Sequence, residues 1–232
     1  MFPPREPHAV LDDSSRVLKA SKIVAQLRAA HPLEGATVLD VGCGSGVIAR
    51  EFAHAVGPRG SVFGVDIVDQ RTVFDGYHFD RVSGTTLPFA DSAFDIVVSN
   101  HCIEHVGNRH DQLDHLLEIH RVLRPGGICY LAVPNRWTLV EPHFHLPFLS
   151  WLPRQLASAY VRLARRGSHY DCDIPSASDV ARLVHETELG CTEITAGALP
   201  LINEIERPRG LKKVCLQMPP ALADRLQPLM PT

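Results

Sequence analysis

The stretch ATVLDVGCGSG, Ala36 to Gly46, joins a run of apolar residues to a loop that contains three glycines. The apolar run, which carries Asp40 near its end, is typical of a buried strand. Glycine adopts backbone conformations closed to other residues and leaves room for a ligand against the main chain. The stretch therefore predicts a strand that delivers a carboxylate and an open loop to a binding site.

A second carboxylate follows in the same kind of position. The segment GSVFGVDI (60–67) indicates another strand, ending in Asp66, after a helix over 45–56. In an open parallel sheet the carboxyl ends of such strands meet at one edge, where ligands bind. A carboxylate about 20 residues beyond the glycines can accept hydrogen bonds from both hydroxyls of a ribose. We therefore expect Asp40 and Asp66 to face one nucleoside ligand.

Strands and helices alternate along the rest of the sequence, which predicts an α/β fold with a doubly wound, mostly parallel sheet and helices on both faces. Further strands are expected at 77–83, 92–100, 128–135, 191–197 and 211–218, and further helices at 14–30, 109–127 and 176–189, the last capped by Ser176 or Ser178. Proline, histidine, tryptophan and arginine interrupt the alternation after the fifth strand. We expect one domain over 1–232, with an N-terminal helix (14–30), a cofactor-binding core (35–134), an inserted helical lid (135–175) and a C-terminal helix with strands (176–232).

Composition narrows the class of protein. The 232 residues are 45% hydrophobic, which suffices for one core, and a net charge of −3 leaves no basic surface for nucleic acid. The six cysteines form no CxxC pair, so a zinc knuckle or a redox dithiol is not predicted. No signal peptide and no apolar run of about 18 residues is visible. The expected protein is soluble and cytoplasmic.

The carboxylates of Asp40 and Asp66 indicate which kind of ligand the loop binds. GSGVIA (44–49) fits the G-x-G-x-x-A pattern of dinucleotide-binding loops, but so short a pattern recurs by chance. Asp40 would repel a pyrophosphate and attract a cation. A ligand with a ribose, an ammonium group and no phosphate suits both acids, and S-adenosylmethionine is such a molecule. An NAD-binding oxidoreductase remains the alternative.

Six segments occur in a characteristic order: VLDVGCGSG, VFGVDI, LPFADSAFDIVVSN, IEHV, EIHRVLRPGG and LAVPN. In order and spacing they resemble the class I S-adenosylmethionine-dependent methyltransferases with a type 11-like domain. The likeness is greatest to the small-molecule branch that is grouped with ubiquinone-biosynthesis methyltransferases. It is strong over 35–135 and weak over the last helix and strands. It implies a seven-stranded Rossmann-like sheet with an antiparallel last strand, and methyl transfer from S-adenosylmethionine, with S-adenosylhomocysteine as the product.

The resemblance also assigns cofactor contacts. It implies that Asp40 and the glycine loop face the methionine part, that Asp66 holds the ribose and that Ile67 lies against the adenine. Where the family often has an acidic residue near the adenine amino group, this chain has Ser83. The implied set comprises Asp40, Gly42, Cys43, Gly44, Gly46, Asp66, Ile67, Ser83, Gly84, Thr85, Ser99 and Asn100.

Methyl transfer from a sulfonium is a direct displacement, in which positioning supplies much of the rate. An oxygen acceptor also gains from a base with a pKa near neutrality, and histidine is the usual choice. His101 and His105 follow the fourth strand, and His143 lies in the insertion, so these three are the catalytic candidates. A role in packing is the alternative for each. Glu104 is expected to orient a main-chain group or to pair with an arginine.

The insertion after the fifth strand is the expected binding site of the acceptor. Its candidate residues are Asn135, Arg136, Trp137, Glu141, His145 and Tyr170. Glu141, His143 and His145 could ligate a metal, but no further ligand stands at a readable spacing, so no metal is predicted. Apolar walls of the pocket, or a cluster under the lid, could come from Trp137, Phe144, Phe148 and Trp151.

The acceptor itself is not encoded in these motifs. A small molecule with a hydroxyl group is the first hypothesis, and a lipid or quinone precursor is the second. Nucleic acid is not expected as a partner. Residues 151–166 resemble a basic amphipathic helix, which either rests on a membrane or, as we favour, packs on its own domain. A cofactor-binding but inactive subunit is a further alternative, and the oligomeric state is not predicted.

Overall fold

Alternating strands and helices build the described part of the chain, which comprises residues 13–194 with Ala198, Leu201 and Ile205 in a computed structural model. The strands are β1 (Thr37–Val41), β2 (Ser61–Asp66), β3 (His78–Arg81), β4 (Phe94–Asn100) and β5 (Leu123–Ala132). The helices are α1 (Asp13–Ala30), α2 (Val47–Val56), α3 (Arg109–Val122), α4 (Arg154–Leu163) and α5 (Ala177–Glu186).

The strands form one parallel sheet in the order β3-β2-β1-β4-β5. The chain runs outward from β1 to β3 and then crosses back to β4, so the order reverses between β1 and β4. Asp40 on β1 is in register with Val98 on β4. In open parallel sheets ligands bind at this reversal, beyond the carboxyl ends of the strands. The predicted α/β fold is confirmed, and its reversal lies at Asp40.

Successive residues of β1 lie in two different cores, because the side chains of a strand alternate between the faces of the sheet. Val38 lies in the core that α1 and α2 cover, with Ile23 and Phe52. Leu39 lies in the opposite core, which α3 and α5 cover, with Ile119 and Leu183. Helices on both faces explain why the strands are apolar on both sides.

Local sequence signals set the helix ends. α2 begins after Gly46, which has a φ of 82°. α3 begins at a capping box in which Asn108 Oδ1 accepts from the His110 amide (2.8 Å) and the Asn108 amide donates to Asp111 (2.8 Å). Ser176 caps α5 by accepting from the Asp179 amide (3.2 Å), as predicted.

Two predicted strands differ from the structure. β5 spans 123–132 rather than 128–135, because Leu123 pairs with Phe94 and the ladder resumes only at Ile128, so that 124–127 bulge out. Residues 191–194, expected to start a sixth strand, are exposed and in no regular structure. Residues 195–197 and the expected strand 211–218 lie outside the described residues. The described residues thus contain five strands, and the seven-stranded sheet stays a prediction.

The segment 135–175 contains a 3-10 turn, Leu149–Trp151, and α4, which agrees with the helical character expected of this insertion. It has its own buried cluster, which comprises Phe144, Leu146, Leu149, Ala157, Val161, Tyr170, Cys172 and Ile174. Since Ala157 and Val161 lie on α4, this helix packs on its own domain. In the part of the chain that the structure describes, no helix has the length and apolar character needed to cross a membrane.

Candidate active site

Asp40 is a buried carboxylate at the reversal of strand order. Its side chain is 1% exposed, and burial raises its pKa to about 7, against the opposing effect of the Arg16 charge on α1. Asp66 adds to the rise. Among the described residues the Asp40 Oδ2 atom has no hydrogen-bond partner. A buried carboxylate with unmet acceptor capacity suits a cationic ligand such as an ammonium group.

The glycine loop is tied to Asp66. The Gly44 amide donates to Asp66 Oδ2 (2.9 Å), and the Val68 amide donates to Asp66 Oδ1 (3.3 Å). Gly42, Gly44 and Gly46 have φ values of 75°, 52° and 82°, which favour glycine. An ionised carboxylate offers about four acceptor sites, so Asp66 retains capacity for a ribose diol.

At two loop positions the glycine makes room for the chain itself. A Cβ on Gly46 would overlap the Tyr77 hydroxyl, which donates to the Val73 carbonyl (2.6 Å). A Cβ on Gly42 would lie 2.7 Å from Cys102 Sγ. The missing Cβ atoms at 42 and 46 thus make room for Cys102 and Tyr77, and contact of these glycines with the cofactor stays a prediction.

The other predicted cofactor residues take different positions. Cys43 packs its side chain toward Gly64, where a Cβ would be 3.1 Å from Cys43 Sγ, and its amide donates to Val65. Ser99 is fully buried and its Oγ lies 3.0 Å from His115 Nε2. Burial lowers the pKa of His115 to about 4. The side chains of Cys43 and Ser99 are thus engaged within the protein.

Asn100 offers a complement to Asp40. It ends β4, is nearly buried, and its Nδ2 has no hydrogen-bond partner in the described part of the chain. An amide donor at β4 and a carboxylate acceptor at β1 match the two charged ends of an amino-acid tail. Nearer the β2–β3 edge, Ile67, Ser83 and Gly84 are exposed and Thr85 is partly buried. The residues present fit S-adenosylmethionine.

The three catalytic candidates meet at Glu104, which is fully buried. Its Oε1 lies 3.6 Å from His101 Nδ1, 3.7 Å from His143 Nε2 and 4.0 Å from His105 Nε2. Burial alone would raise the pKa of Glu104, but the contacts with the three imidazoles lower it to about 2. Glu104 therefore pairs with histidines, and the expectation that it would pair with an arginine is wrong.

His101 has features of a base. Its φ of 54° turns the chain after β4, and its amide donates to the Ala132 carbonyl (2.9 Å). Burial lowers the pKa of His101, Glu104 opposes this effect, and the charge of Lys19 on α1 adds to the lowering. A lowered pKa keeps the imidazole neutral near pH 7, so His101 can accept a proton.

Cys172 completes the histidine group, although the sequence analysis did not select it. Its Sγ lies 3.8 Å from His105 Nδ1, and the rings of His105 and His143 are 4.7 Å apart. Burial raises the pKa of the Cys172 thiol, and the charges of Glu141, Asp171 and Glu104 add to the rise. No sequence spacing connects positions 105, 143 and 172, so only the fold brings them together.

Several predicted acceptor residues hold the insertion in shape. Glu141 Oε2 accepts from the amides of His143 (2.9 Å) and Phe144 (2.7 Å), and Asn135 Oδ1 accepts from the Trp137 amide (2.9 Å). Arg136 donates to the Ile174 carbonyl (3.4 Å). His145 is exposed.

The four aromatic residues that were expected to line the acceptor pocket lie in two separate places. Phe144 packs in the buried cluster against Tyr170, at 5.6 Å between ring centroids. Trp151 instead contacts Trp137 and Phe148, and these three side chains are exposed. The Tyr170 hydroxyl is buried and has no hydrogen-bond partner among the residues described.

Comparisons with known proteins agree with this geometry. A methyltransferase-domain family model matches residues 39–131. A ubiquinone biosynthesis O-methyltransferase of Rhizobium rhizogenes is 34% identical over 148 residues, 60% of this chain and 58% of that protein. The chain thus spans less than two thirds of the length of that curated relative.

Solved structures show the same fold. An S-adenosylmethionine-dependent methyltransferase from Aquifex aeolicus superposes with a TM-score of 0.56, at 18% identity, over 79% of this chain and 87% of that one. Another, from Methanosarcina mazei, gives 0.53 at 21% identity over 72% and 85%. Over residues 39–131, which contain Asp40 and Asp66, the chain is thus similar to a methyltransferase domain.

Proposed function

We propose that this chain transfers the methyl group of S-adenosylmethionine to a hydroxyl oxygen of a small-molecule acceptor. The observation that carries the proposal is the meeting of His101, His105 and His143 at the buried carboxylate of Glu104. His101, Glu104 and His105 follow β4, which lies beside the strand that carries Asp40, and His143 reaches them from the insertion. A base is thereby available at the edge where the cofactor is expected to bind.

The cofactor is held by the acids of β1 and β2. In this proposal Asp40 accepts from the ammonium group of S-adenosylmethionine, Asn100 donates to its carboxylate, and Asp66 accepts from the ribose. Ile67 and residues 83–85 lie along the adenine. The cofactor supplies the electrophilic methyl group.

The reaction balances as a single displacement. The acceptor oxygen forms a bond to the methyl carbon while the carbon–sulfur bond breaks, and the electron pair of that bond stays on sulfur. The hydroxyl proton passes to the imidazole of His101. Glu104 stabilises the resulting imidazolium, since its pKa of about 2 keeps it ionised.

The acceptor is proposed to bind under the segment 135–175, which acts as a lid, with Tyr170 and Arg136 among its contacts. A quinone precursor is the second candidate acceptor, since the relative from Rhizobium rhizogenes carries that name. The exposed group of Trp137, Phe148 and Trp151 gives a membrane-borne acceptor an apolar surface to contact.

Calorimetric titration tests the cofactor. S-adenosylhomocysteine should bind to the chain and NAD should not. Asp66→Ala should weaken S-adenosylhomocysteine binding by about 1–3 kcal/mol, because hydrogen bonds to a charged group are lost. Asp114→Ala, which removes an exposed carboxylate on α3, is the matched control and should bind normally. Binding of NAD in place of S-adenosylhomocysteine would support the oxidoreductase alternative.

A transfer assay tests the activity. The chain is incubated with methyl-labelled S-adenosylmethionine and a catechol, with the fully O-methylated catechol as the control acceptor. Label should reach the free hydroxyl and not the blocked compound. Tight cofactor binding without transfer to any hydroxylated acceptor would instead support an inactive cofactor-binding subunit.

A further inference from the structure

The histidine group contains a set of atoms that resembles a metal site. His105, His143 and Cys172 each present one ligand atom, and these three atoms lie within 4.8 Å of one another. His105 lies on the 3-10 turn Ile103–His105, whereas His143 and Cys172 come from two separate parts of the insertion 135–175. Two imidazoles and one thiol are ligands of zinc rather than of magnesium or calcium, which prefer oxygen.

The spacing is close to that of a tetrahedral zinc site. With Zn–N and Zn–S bonds of about 2.0–2.3 Å, ligand atoms in such a site lie roughly 3.3–3.8 Å apart. The distance between His105 Nδ1 and Cys172 Sγ is 3.8 Å. Small side-chain movements, within the 4.8 Å limit of the group, would therefore bring the three atoms onto one ion.

The surroundings provide the outer shell that metal-binding histidines usually have. His105 directs Nδ1 toward Cys172 and Nε2 toward Glu104 Oε1, at 4.0 Å. A carboxylate at the second ring nitrogen fixes the orientation of a ligating imidazole and raises its basicity. The carboxylates of Glu141 and Asp171 also act on Cys172, so the local charge favours a cation.

The group is closed on one side and open on the other. Cys172 is 2% exposed, whereas the side chains of His105 and His143 are 20% and 13% exposed. Three protein ligands with a remaining open position are characteristic of catalytic zinc sites, in which water or substrate takes the fourth place.

We propose that His105, His143 and Cys172 bind one Zn²⁺ ion, with Glu104 orienting His105. The open position of the ion would take the acceptor hydroxyl and make its proton easier to remove. This use of the ion rests on the proposed methyl transfer, whereas binding of the ion does not. The division of roles leaves His101 as the base and makes the other two candidate histidines metal ligands.

The test uses the full chain after treatment with a chelator. One equivalent of Co²⁺ should produce a sulfur-to-cobalt charge-transfer band in the near ultraviolet, and Zn²⁺ should displace the cobalt. Cys172→Ser should abolish the band and weaken zinc binding by about 100-fold or more, whereas Cys129→Ser, on β5, should leave both unchanged. A missing band in the unaltered chain, or equal zinc affinity in Cys172→Ser, would overturn the site.

A second pair of variants tests the site independently, in case Cys172→Ser fails to fold. His143→Ala should weaken zinc binding while the band persists, and His145→Ala, in the same loop but exposed, should bind zinc normally. Glu104→Gln should lower zinc affinity by about 10–100-fold, because the outer carboxylate is lost. Equal zinc affinity in His143→Ala and His145→Ala would overturn the assignment of His143.

Metal binding and methyl transfer are separable in these measurements. Cobalt and zinc titrations report the site whether or not an acceptor is methylated, and S-adenosylhomocysteine titration reports the cofactor site alone. If Cys172→Ser loses zinc but keeps full transfer to the catechol, the catalytic use of the ion is overturned while the site itself is supported.

Discussion

Asp40 and Glu104 are two buried carboxylates at the same edge of the sheet, and their pKa values shift in opposite directions. Asp40 is 1% exposed and its pKa rises to about 7, whereas Glu104 is fully buried and its pKa falls to about 2. Burial opposes ionisation at both positions. At Asp40 burial outweighs the opposing charge of Arg16, and Asp66 adds to the rise, whereas at Glu104 the three imidazoles outweigh burial.

This difference separates a carboxylate that we propose binds a cationic ligand from one whose partners are side chains of the protein itself. At Asp40 the charge of Arg16 does not outweigh burial, and we propose that a positively charged ligand provides the remaining compensation. The region around Glu104 is balanced within the protein and can hold its geometry without a ligand. Four substitutions test this comparison.

The largest effect is expected on kcat, from a substitution in the group of histidines around Glu104. His101→Ala should lower kcat by about 10²–10⁴-fold, because the base is lost, and should leave the affinity for S-adenosylhomocysteine unchanged. The rate of the unaltered chain should fall as the pH drops through the lowered pKa of His101, since only the neutral imidazole accepts a proton. Steady-state kinetics against pH measure both. His110→Ala, with a side chain that is 80% exposed on α3, is the control, and an equal loss there would contradict the assignment.

The second prediction concerns the ionisation of Asp40. Because the pKa of Asp40 rises from 3.8 to about 7 on folding, ionisation disfavours the folded chain as the pH rises between these values, by up to roughly 4 kcal/mol. Asp40→Asn should therefore stabilise the ligand-free chain at pH 8 more than at pH 5, and should weaken S-adenosylhomocysteine binding. Urea unfolding at pH 5 and pH 8 measures the difference in the free energy of unfolding between Asp40→Asn and the unaltered chain. An equal difference at the two pH values would contradict the interpretation.

A third substitution tests the loop that joins the two acids. Gly46→Ala should destabilise the chain by about 2–3 kcal/mol, because position 46 has a positive φ and an added Cβ would meet Tyr77. Gly84→Ala is the matched control, since a Cβ there meets no atom within 4 Å, and it should change stability by less than about 0.5 kcal/mol. Thermal unfolding of both variants would show whether the loss of stability is specific to position 46.

The smallest effect is expected in the insertion. Tyr170→Phe removes a buried hydroxyl without a hydrogen-bond partner among the described residues and should stabilise the ligand-free chain by about 1 kcal/mol. It should also raise KM for the acceptor if this hydroxyl meets the substrate under the lid. Urea unfolding and steady-state kinetics measure the two quantities. Destabilisation with an unchanged KM would assign Tyr170 to the buried cluster alone.

The proximity of Asp40, the glycine loop and Asp66 could be predicted because these residues are close in the sequence. Asp40, the glycine loop and Asp66 follow from a strand–loop–helix–strand segment whose geometry is local. The Ser176 cap could be predicted for the same reason. The bulge after Leu123 could not, because it depends on pairing with β4.

The histidine side could be predicted only as a set of candidates. Proximity of His101 and His105 follows from four residues of spacing, but their meeting with His143 and Cys172 depends on how the insertion packs. Arg16 and Tyr77 also reach the site from distant segments. No periodicity or motif in the sequence encodes such contacts.

Helix α1 extends the functional unit beyond the segment that matches the family. It supplies Ile23 and Leu27 to one core, and Arg16 and Lys19 act on Asp40 and His101. A fragment trimmed to residues 39–131 would expose the apolar face of the sheet that α1 covers and would lose the positive charges near Asp40 and His101. A fragment that keeps this core and these charges therefore has to begin at or before α1.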